Sequence, residues 1–396
     1  MNERRLERNK IFSAVFLMAS ASIGPLFLMS TADLTIQFYE RLAFVIIITG
    51  IIELGIQMNI WRILTVAKTP AHLVINKIIP NFGTFMSVVV LLGGIAFNII
   101  NISGLGIGIS LLFNVDIKLG ASIGLMIAIL FYLLNRNRIT LETFIGVMLS
   151  FIIAIILLAY AFTATDVPYD VTLAKTVLPM IDYDIVTTIA MMVALSIGGY
   201  ISFAGAHRLI DVEITGEKYK TAVTRSAVYS VIIVTVTRLL LFFTILGLSR
   251  SNVILFKDNL LESAFSEVFG GLGSYALGIL FICASLTSIV SVAYTTGTFI
   301  KSVNDIIKKY IDVVLLMLVL TSWFIFLLKG EEVVLLQITT ILNGLILPVI
   351  LGGILHASRR SDIVGHYRHP LWLSIYGVLS LAVSFILVFI LIYELL

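Results

Sequence analysis

One cysteine in 396 residues, Cys283, excludes a disulfide framework. Charge is scarce as well: 12% of the chain is Asp, Glu, Lys or Arg, against 59% hydrophobic residues. A soluble domain of this length does not present so little charge to water. The formal net charge of +3 is too small a surplus to hold nucleic acid through phosphate contacts. No Walker-type loop, nucleophile–base pair or metal-ligand cluster stands out, so an enzyme reading finds little to rest on. Of seven prolines, only Pro25 and Pro348 sit well inside apolar runs. No linker or low-complexity tract divides the chain. The basic start (Arg4, Arg5, Arg8, Lys10) leads into apolar sequence without a convincing cleavage site, so no cleavable signal is expected.

What remains is hydrophobic length. Mean hydropathy is +1.09, and a helix needs about 20 apolar residues to cross a bilayer. Such runs fall near 11–35, 43–65, 83–112, 117–134, 142–163, 185–206, 226–248, 271–299, 311–328, 333–355 and 371–393. The expected fold is an all-α polytopic membrane protein of about 11 transmembrane helices, in one domain over 1–396 and embedded in a lipid bilayer. Lysine and arginine set the orientation. With the N-terminus cytoplasmic, nineteen fall in inside segments, among them Arg62, Arg136, Arg138, Arg208, Lys301 and Arg360. Six fall outside (Arg41, Lys118, Lys175, Arg250, Lys257, Lys329), and Arg238 lies within the seventh run. An odd span count then puts the C-terminus outside.

Two runs do not read as continuous helices. The first contains Pro25, and its second half crowds Ser30, Thr31, Asp33, Thr35 and Gln37 into apolar surroundings. The sixth carries Ser196-Ile197-Gly198-Gly199-Tyr200 at its middle. In lipid, irregular backbone survives only where protein encloses it or water fills a cavity. Adjacent glycines alone also suit close helix packing. Breaks in the first and sixth of ten spans are the pattern of two inverted five-span halves with a midplane site. The expected halves are about 11–163 and 185–355, with an extra helix at about 371–393. Unwinding is expected at Thr31–Thr35 and at Ser196–Gly199.

Several stretches resemble the NRAMP family of divalent-metal transporters: Gly24-Pro25, Leu111-Leu112-Phe113 and Leu345-Ile346-Leu347-Pro348. IGPLFLMSTADLT, NIWRI at 59–63, GGIAFNI at 93–99 and GGYISFAGAHRLID at 198–211 resemble a divergent branch of it more closely. The resemblance implies a LeuT-like 5+5 inverted repeat, broken first and sixth helices, and secondary active transport by alternating access. It also implies a prokaryotic plasma membrane.

The departures bear on substrate. Set from Gly24-Pro25, the family's Asp-Pro-Gly-Asn falls on Thr35-Ile36-Gln37-Phe38. Its sixth-span methionine and histidine fall on Ile197 or Gly198 and on Gly199; its third-span carboxylates become Asn98 and Asn101, and its tenth-span glutamine Ile346. A divalent cation needs donors with compensating negative charge, and these are gone. Asp33 is either a displaced ligand or a group facing an aqueous cavity or gate. A small organic anion suits hydroxyls and a half-helix N-terminus better. Genes of the divergent branch often lie beside 5-oxoprolinase subunits, which points to a small cyclic carboxylate such as 5-oxoproline.

The candidate substrate residues are therefore Ser30, Thr31, Thr35, Gln37, Ser196, Gly198, Gly199 and Tyr200, with Ser202 a further hydroxyl. No metal ligands and no cofactor are expected. Ala284, Thr287 and Ser288 resemble the sodium-site segment of sodium-coupled LeuT-fold transporters, so the coupling ion is Na+ or H+; ordinary interhelical packing is the plainer reading. Asp33, Asn98, Asn101 and Asn343 are pathway or gating candidates. Glu53 and Arg238 are intramembrane charges that pair with each other or with another polar group. His207-Arg208 reads as a topology anchor or an inner gate with Asp211 or Glu213. The alternatives are a proton-coupled divalent-cation transporter and, from another class, a membrane receptor or structural protein.

Overall fold

The computed structural model describes residues 3–135, 141–251, 253, 255–256, 259–301, 305–329 and 333–395. Arg136, Arg138, Lys257 and the side chain of Asn343 lie outside the described residues. Among the described residues all regular structure is helical. In order these helices are α1 (Glu3–Ser22), α2 (Pro25–Phe38), α3 (Leu42–Ala67), α4 (Ala71–Ile78), α5 (Phe82–Phe113) and α6 (Ile117–Asn135). Next come α7 (Leu141–Thr163), α8 (Tyr169–Val177), α9 (Tyr183–Ile197), α10 (Ile201–Asp211), α11 (Lys220–Arg250) and α12 (Leu260–Phe269). The last are α13 (Gly273–Ile300), α14 (Asp305–Lys309), α15 (Ile311–Lys329), α16 (Val333–Ala357), α17 (Ser361–Val364) and α18 (Leu371–Leu395). Each expected span falls on one helix or one interrupted pair. Eight stretches are long and apolar enough to cross a membrane, with shorter apolar helices at Ile117–Leu130 and Gly344–Ala357.

Burial sorts these helices into an inner and an outer set. The α9–α10 stretch is 83% buried over its apolar window, against 22% for α15 and 28% for the α7 stretch. A helix apolar all round and poorly covered by protein is one that lipid covers. The inner set is closely packed. A Cβ on Gly205 of α10 would stand 1.9 Å from the Trp61 ring of α3, and one on Gly108 of α5 would stand 2.8 Å from the Gly278 carbonyl of α13. Small residues let these backbones approach.

The first and sixth spans are the interrupted ones, for different reasons. Pro25 has no N–H, and its ring excludes the carbonyl four residues back, so α1 cannot run through it. The residue before a proline is pushed out of the helical region; Gly24 sits at φ −105°, ψ −177° and Pro25 opens α2. In the sixth span Gly198 is extended (φ −65°, ψ 163°) and Gly199 is left-handed at φ 59°. Glycine takes that conformation at little cost.

The expected unwinding at Thr31–Thr35 is not there: α2 is helical through it. The break lies at Ile23–Gly24 instead. The polar groups were misread as helix breakers because their hydroxyls can be satisfied within the helix. Thr31 donates to the Phe27 carbonyl at 2.6 Å and Thr35 to the Thr31 carbonyl at 2.6 Å. Back-bonding of this kind lets threonine sit in a membrane helix. The sixth break falls at Gly198–Tyr200; Ser196 and Ile197, expected to be unwound, are still in α9, because only the glycines resist the helix.

Candidate functional site

The two breaks meet inside the molecule. The Ser22 hydroxyl, at the end of α1, donates to the Ser196 carbonyl in the last turn of α9 at 3.0 Å. Other helix-end carbonyls are taken too. Gly198 N–H donates to Ala194 O at 3.1 Å and Ile23 N–H to Ala19 O at 2.9 Å; Ser202 donates to Ile197 O. Two helices end here, α1 and α9, and two begin, α2 and α10. α9 thus has the Ala194, Ser196 and Ile197 carbonyls bonded and α1 that of Ala19, while the beginning helices bring the positive ends of their dipoles.

Beside the first break lies a cluster of neutral polar side chains. A Cβ on Gly24 would stand 3.2 Å from Asn101 Oδ1 of α5 and 3.2 Å from Ser288 Oγ of α13. Asn101 Nδ2 donates to Asn98 Oδ1 at 3.4 Å. Tyr200 brings its hydroxyl beside Ser288, and Phe97 packs edge-on against its ring at 5.5 Å. All of these side chains are buried. Asn98 Nδ2, Asn101 Oδ1, Tyr200 Oη, Ser285 Oγ and Ser288 Oγ nonetheless lack a well-formed hydrogen bond within the protein. Buried polar atoms are nearly always satisfied, and those that are not mark ligand or water positions.

Beside the sixth break lies a charged cluster. Arg238 of α11 donates from Nη1 to Ser196 Oγ at 2.8 Å, and its guanidinium lies 4.3 Å from the centre of the Phe27 ring in the first turn of α2. It thus touches both interrupted spans. Glu53 of α3 sits beside Ser196 and within the electrostatic reach of Arg238. Both charges are buried.

One face of α2 is exposed. Asp33 and Gln37 are exposed and Ser30 is half-buried, whereas Thr31 and Thr35 on the other side are buried. An aspartate turned to lipid is costly, which makes this exposed stripe a candidate for a water-facing side of α2. The face of the molecule bearing the N-terminus is latched instead. Arg208 Nε donates to Ser13 Oγ at 3.2 Å, Ser20 and Ser291 share a 2.8 Å bond, and Lys301 pairs with Asp211 at 3.1 Å. His207 joins three elements there: Ala71 N–H donates to its Nε2 at 3.1 Å, and its Nδ1 lies 2.6 Å from Thr298 Oγ1. Nε2 therefore accepts and Nδ1 carries the proton. Burial first, then the charge of Lys301, push the neighbouring His72 imidazole down to about 4, so it is neutral at ordinary pH.

The candidate residues thus separate into three groups. Ser196, Gly198, Gly199, Tyr200, Asn98, Asn101 and Ser288 come together at the breaks. Thr31, Asp33, Thr35 and Gln37 do not: at 1.5 Å per residue, they lie roughly 10 to 20 Å up α2 from Gly24. Ser30 lies at the inner end of that stripe. Thr287 donates to Cys283 O at 2.8 Å and to Ala284 O at 3.1 Å, so the hydroxyl and the Ala284 carbonyl already bond to each other. Gly24, Ser22 and Ser285 belong to the site and were missed. The Gly-Pro pair was the signal for the first of them, since a helix entering Pro25 must end before it.

The family model described as natural resistance-associated macrophage protein-like matches residues 15–394. The chain is 35% identical over 373 residues to the uncharacterized membrane protein YcsG of Bacillus subtilis, covering 94% of this chain and 91% of that protein. It is 36% identical over 371 residues to an uncharacterized membrane protein of Haemophilus influenzae, covering 93% and 92%. Among solved structures, a manganese transporter of Eremococcus coleocola superposes with a TM-score of 0.74 at 15% identity, over 100% of this chain and 88% of that one. MhsT in complex with L-phenylalanine superposes with a TM-score of 0.69 at 13% identity, over 97% and 98%. These two likenesses show the LeuT-like fold. The chain is an integral membrane transporter, and it belongs to the natural resistance-associated macrophage protein-like family.

Proposed function

We propose that this transporter moves a small organic carboxylate, such as 5-oxoproline, by alternating access, coupled to a sodium or proton gradient. One observation carries the reading: the charged side chain that touches both interrupted spans is an arginine, Arg238. A guanidinium beside the N-terminal turn of α2 favours a carboxylate and repels a divalent cation. The stretch at the first break, Ser22-Ile23-Gly24-Pro25, holds no carboxylate, and Ile197-Gly198-Gly199-Tyr200 holds no thioether or imidazole. At the sixth break the Ala194, Ser196 and Ile197 carbonyls already accept hydrogen bonds. Among the described residues no three His, Cys, Asp or Glu side chains gather at metal-binding distance.

With the N-terminus cytoplasmic, the latched face is the inner one and the wet stripe of α2 opens outward. Solute enters past Gln37, Asp33 and Ser30 and docks between Gly24 and Gly198–Tyr200. Sodium at Ala284, Thr287 and Ser288 requires Thr287 to give up its bonds to the Cys283 and Ala284 carbonyls. Uptake of labelled 5-oxoproline and other small carboxylates into proteoliposomes, with sodium and proton gradients imposed in turn, tests the reading. Accumulation of a carboxylate is expected. The E. coleocola neighbour is a manganese transporter, so labelled manganese is the competing substrate; its uptake without that of any carboxylate would sink the proposal.

A further inference from the structure

Glu53 is a buried carboxylate that the route above does not use. It is 1% exposed, and its Oε1 has no hydrogen-bond partner. It belongs to a stripe of α3, Thr49, Glu53 and Gln57, spaced four residues apart and therefore on one face. Thr49 Oγ1 and both polar atoms of the Gln57 side chain also lack partners, and all three residues are buried. Across from them Arg238 has an unpartnered Nε. Such a row has the donors and acceptors to hold water or pass a proton in a medium that otherwise supplies neither.

We infer that Glu53 is the proton-binding group of the transport cycle, and that it trades its claim on Arg238 with the incoming anion. The inference rests on the carboxylate reading. In this structure the Glu53 carboxyl and the Arg238 guanidinium share a buried site, both beside Ser196 and without a direct ion pair. A buried charge left alone is expensive, so Arg238 keeps one anionic partner at a time. When a solute carboxylate binds the guanidinium through its free Nε side, a second negative charge enters, and Glu53 is relieved by taking a proton. Binding of anion and of proton therefore favour each other, as linkage requires. One carboxylate and one proton enter together, and the pair carries no net charge across the membrane. A bare anion entering a negative-inside cell would work against about 2.3 kcal/mol per 100 mV.

Among the described residues, the charged group that acts on Glu53 is Arg238. α11 presents Arg238, α9 presents Ser196 and α2 presents Phe27 to the same guanidinium. From α18, Tyr376 is bonded to the Ile51 carbonyl. A purely structural Glu53–Arg238 pair would tie α3 to α11 and never change protonation.

The experiment is an infrared difference titration of the full chain in lipid nanodiscs, following the protonated-carboxyl band. We expect a band that grows as pH falls and is missing in Glu53→Gln. Adding 5-oxoproline should move its midpoint to higher pH, and the solute's Kd should weaken about tenfold per pH unit above that midpoint. In vesicles, Glu53→Gln should keep solute exchange and lose accumulation driven by a pH gradient. Glu53→Asp should keep accumulation with a displaced pH profile, which separates lost protonation from lost folding. No band assignable to Glu53, or pH-driven accumulation that survives Glu53→Gln, overturns the inference. A Glu53 band that titrates but ignores every carboxylate leaves the proton site standing and sinks the carboxylate reading instead.

Discussion

Pro25 interrupts the first span because its nitrogen carries no proton, whereas Gly198 and Gly199 interrupt the sixth because nothing on them resists leaving the helix. The first break is thus fixed by covalent structure, and the second by conformational freedom. Their surroundings differ in the same direction. Gly24 is boxed in by neutral groups, Asn101 and Ser288; the end of α9 is held by a charged one, Arg238 on Ser196. A rigid neutral wall opposite a flexible charged one suits a solute with a charged end and an uncharged body. On the proposed reading the wall selects by shape and hydrogen bonding, and the glycine side follows the charge as the protein changes state.

The sharpest break of this comparison is at the charge. Arg238→Gln should lower carboxylate uptake by at least about a hundredfold, since truncating one member of a buried charge pair costs roughly 3 to 5 kcal/mol. Asn101→Ala on the neutral side should cost only about fivefold, the scale of one lost hydrogen bond between neutral groups. Initial rates at subsaturating 5-oxoproline measure both. If the two effects are equal, the two walls are not electrically distinct.

Packing comes next. A Cβ on Gly104 would stand 2.2 Å from Pro25 Cγ, against a ring that cannot rotate away. Gly104→Ala should therefore destabilise the chain by about 1 to 3 kcal/mol, as overpacking does. Gly24→Ala, at 3.2 Å from two side-chain oxygens, should cost less. Thermal unfolding in one detergent ranks them, and the reverse order would show that the proline side is not the rigid one.

Backbone conformation gives a finer test within the sixth break. Gly199 is left-handed at φ 59°, so Gly199→Ala should cost about 1 to 2 kcal/mol. Gly198 has an extended backbone that any residue adopts, so Gly198→Ala should leave stability nearly unchanged. Equal losses would remove conformational freedom as the cause of this break.

The spans were legible because hydrophobic length is a property of local sequence, and each run ended within a few residues of a helix. The sixth break was legible because adjacent glycines have no other local meaning at mid-span than packing or unwinding. The first break was not placed. Ser30, Thr31, Thr35 and Gln37 look like groups that lipid cannot tolerate, and only three-dimensional structure shows the first three bonded into their own helix and Gln37 exposed. The unpartnered set around Asn98, Asn101 and Ser288 was visible only as scattered polar residues, because what joins them is packing between α5 and α13. Arg238 stood out as an intramembrane charge, but its contact with both interrupted spans is a tertiary fact.

The smallest expected effect lies where the two spans reach the proposed outer face. Three ion pairs hold their ends. Glu40, just after α2, is 2% exposed; it pairs with Lys175 at 2.8 Å and with Arg250. Arg41, its neighbour, donates to Asp182 at 2.5 Å, and Asp182 also accepts from Ile185 N–H to cap α9. Burial alone would raise the Glu40 carboxyl, but the hydrogen bonds from Lys175 and Arg250 outweigh it and hold the group below its usual value. For a carboxyl lowered in the folded state, the stabilisation is complete above its ordinary range. It is lost as pH falls through the lower folded value. Acidification should therefore loosen the Glu40 tie, speeding hydrogen exchange at Tyr39–Arg41 and in α8. Both cations are close to half exposed, at 43% and 44%, so water screens them and the tie is worth only about 1 kcal/mol. Glu40→Gln should show the faster exchange at every pH and lose its acid dependence. Asp182→Asn keeps a capping oxygen and removes only an exposed pair, so exchange in α9 should change less. If Asp182→Asn loosens α9 more than Glu40→Gln loosens α8, the far end of the sixth span, not the first, is the one held by charge.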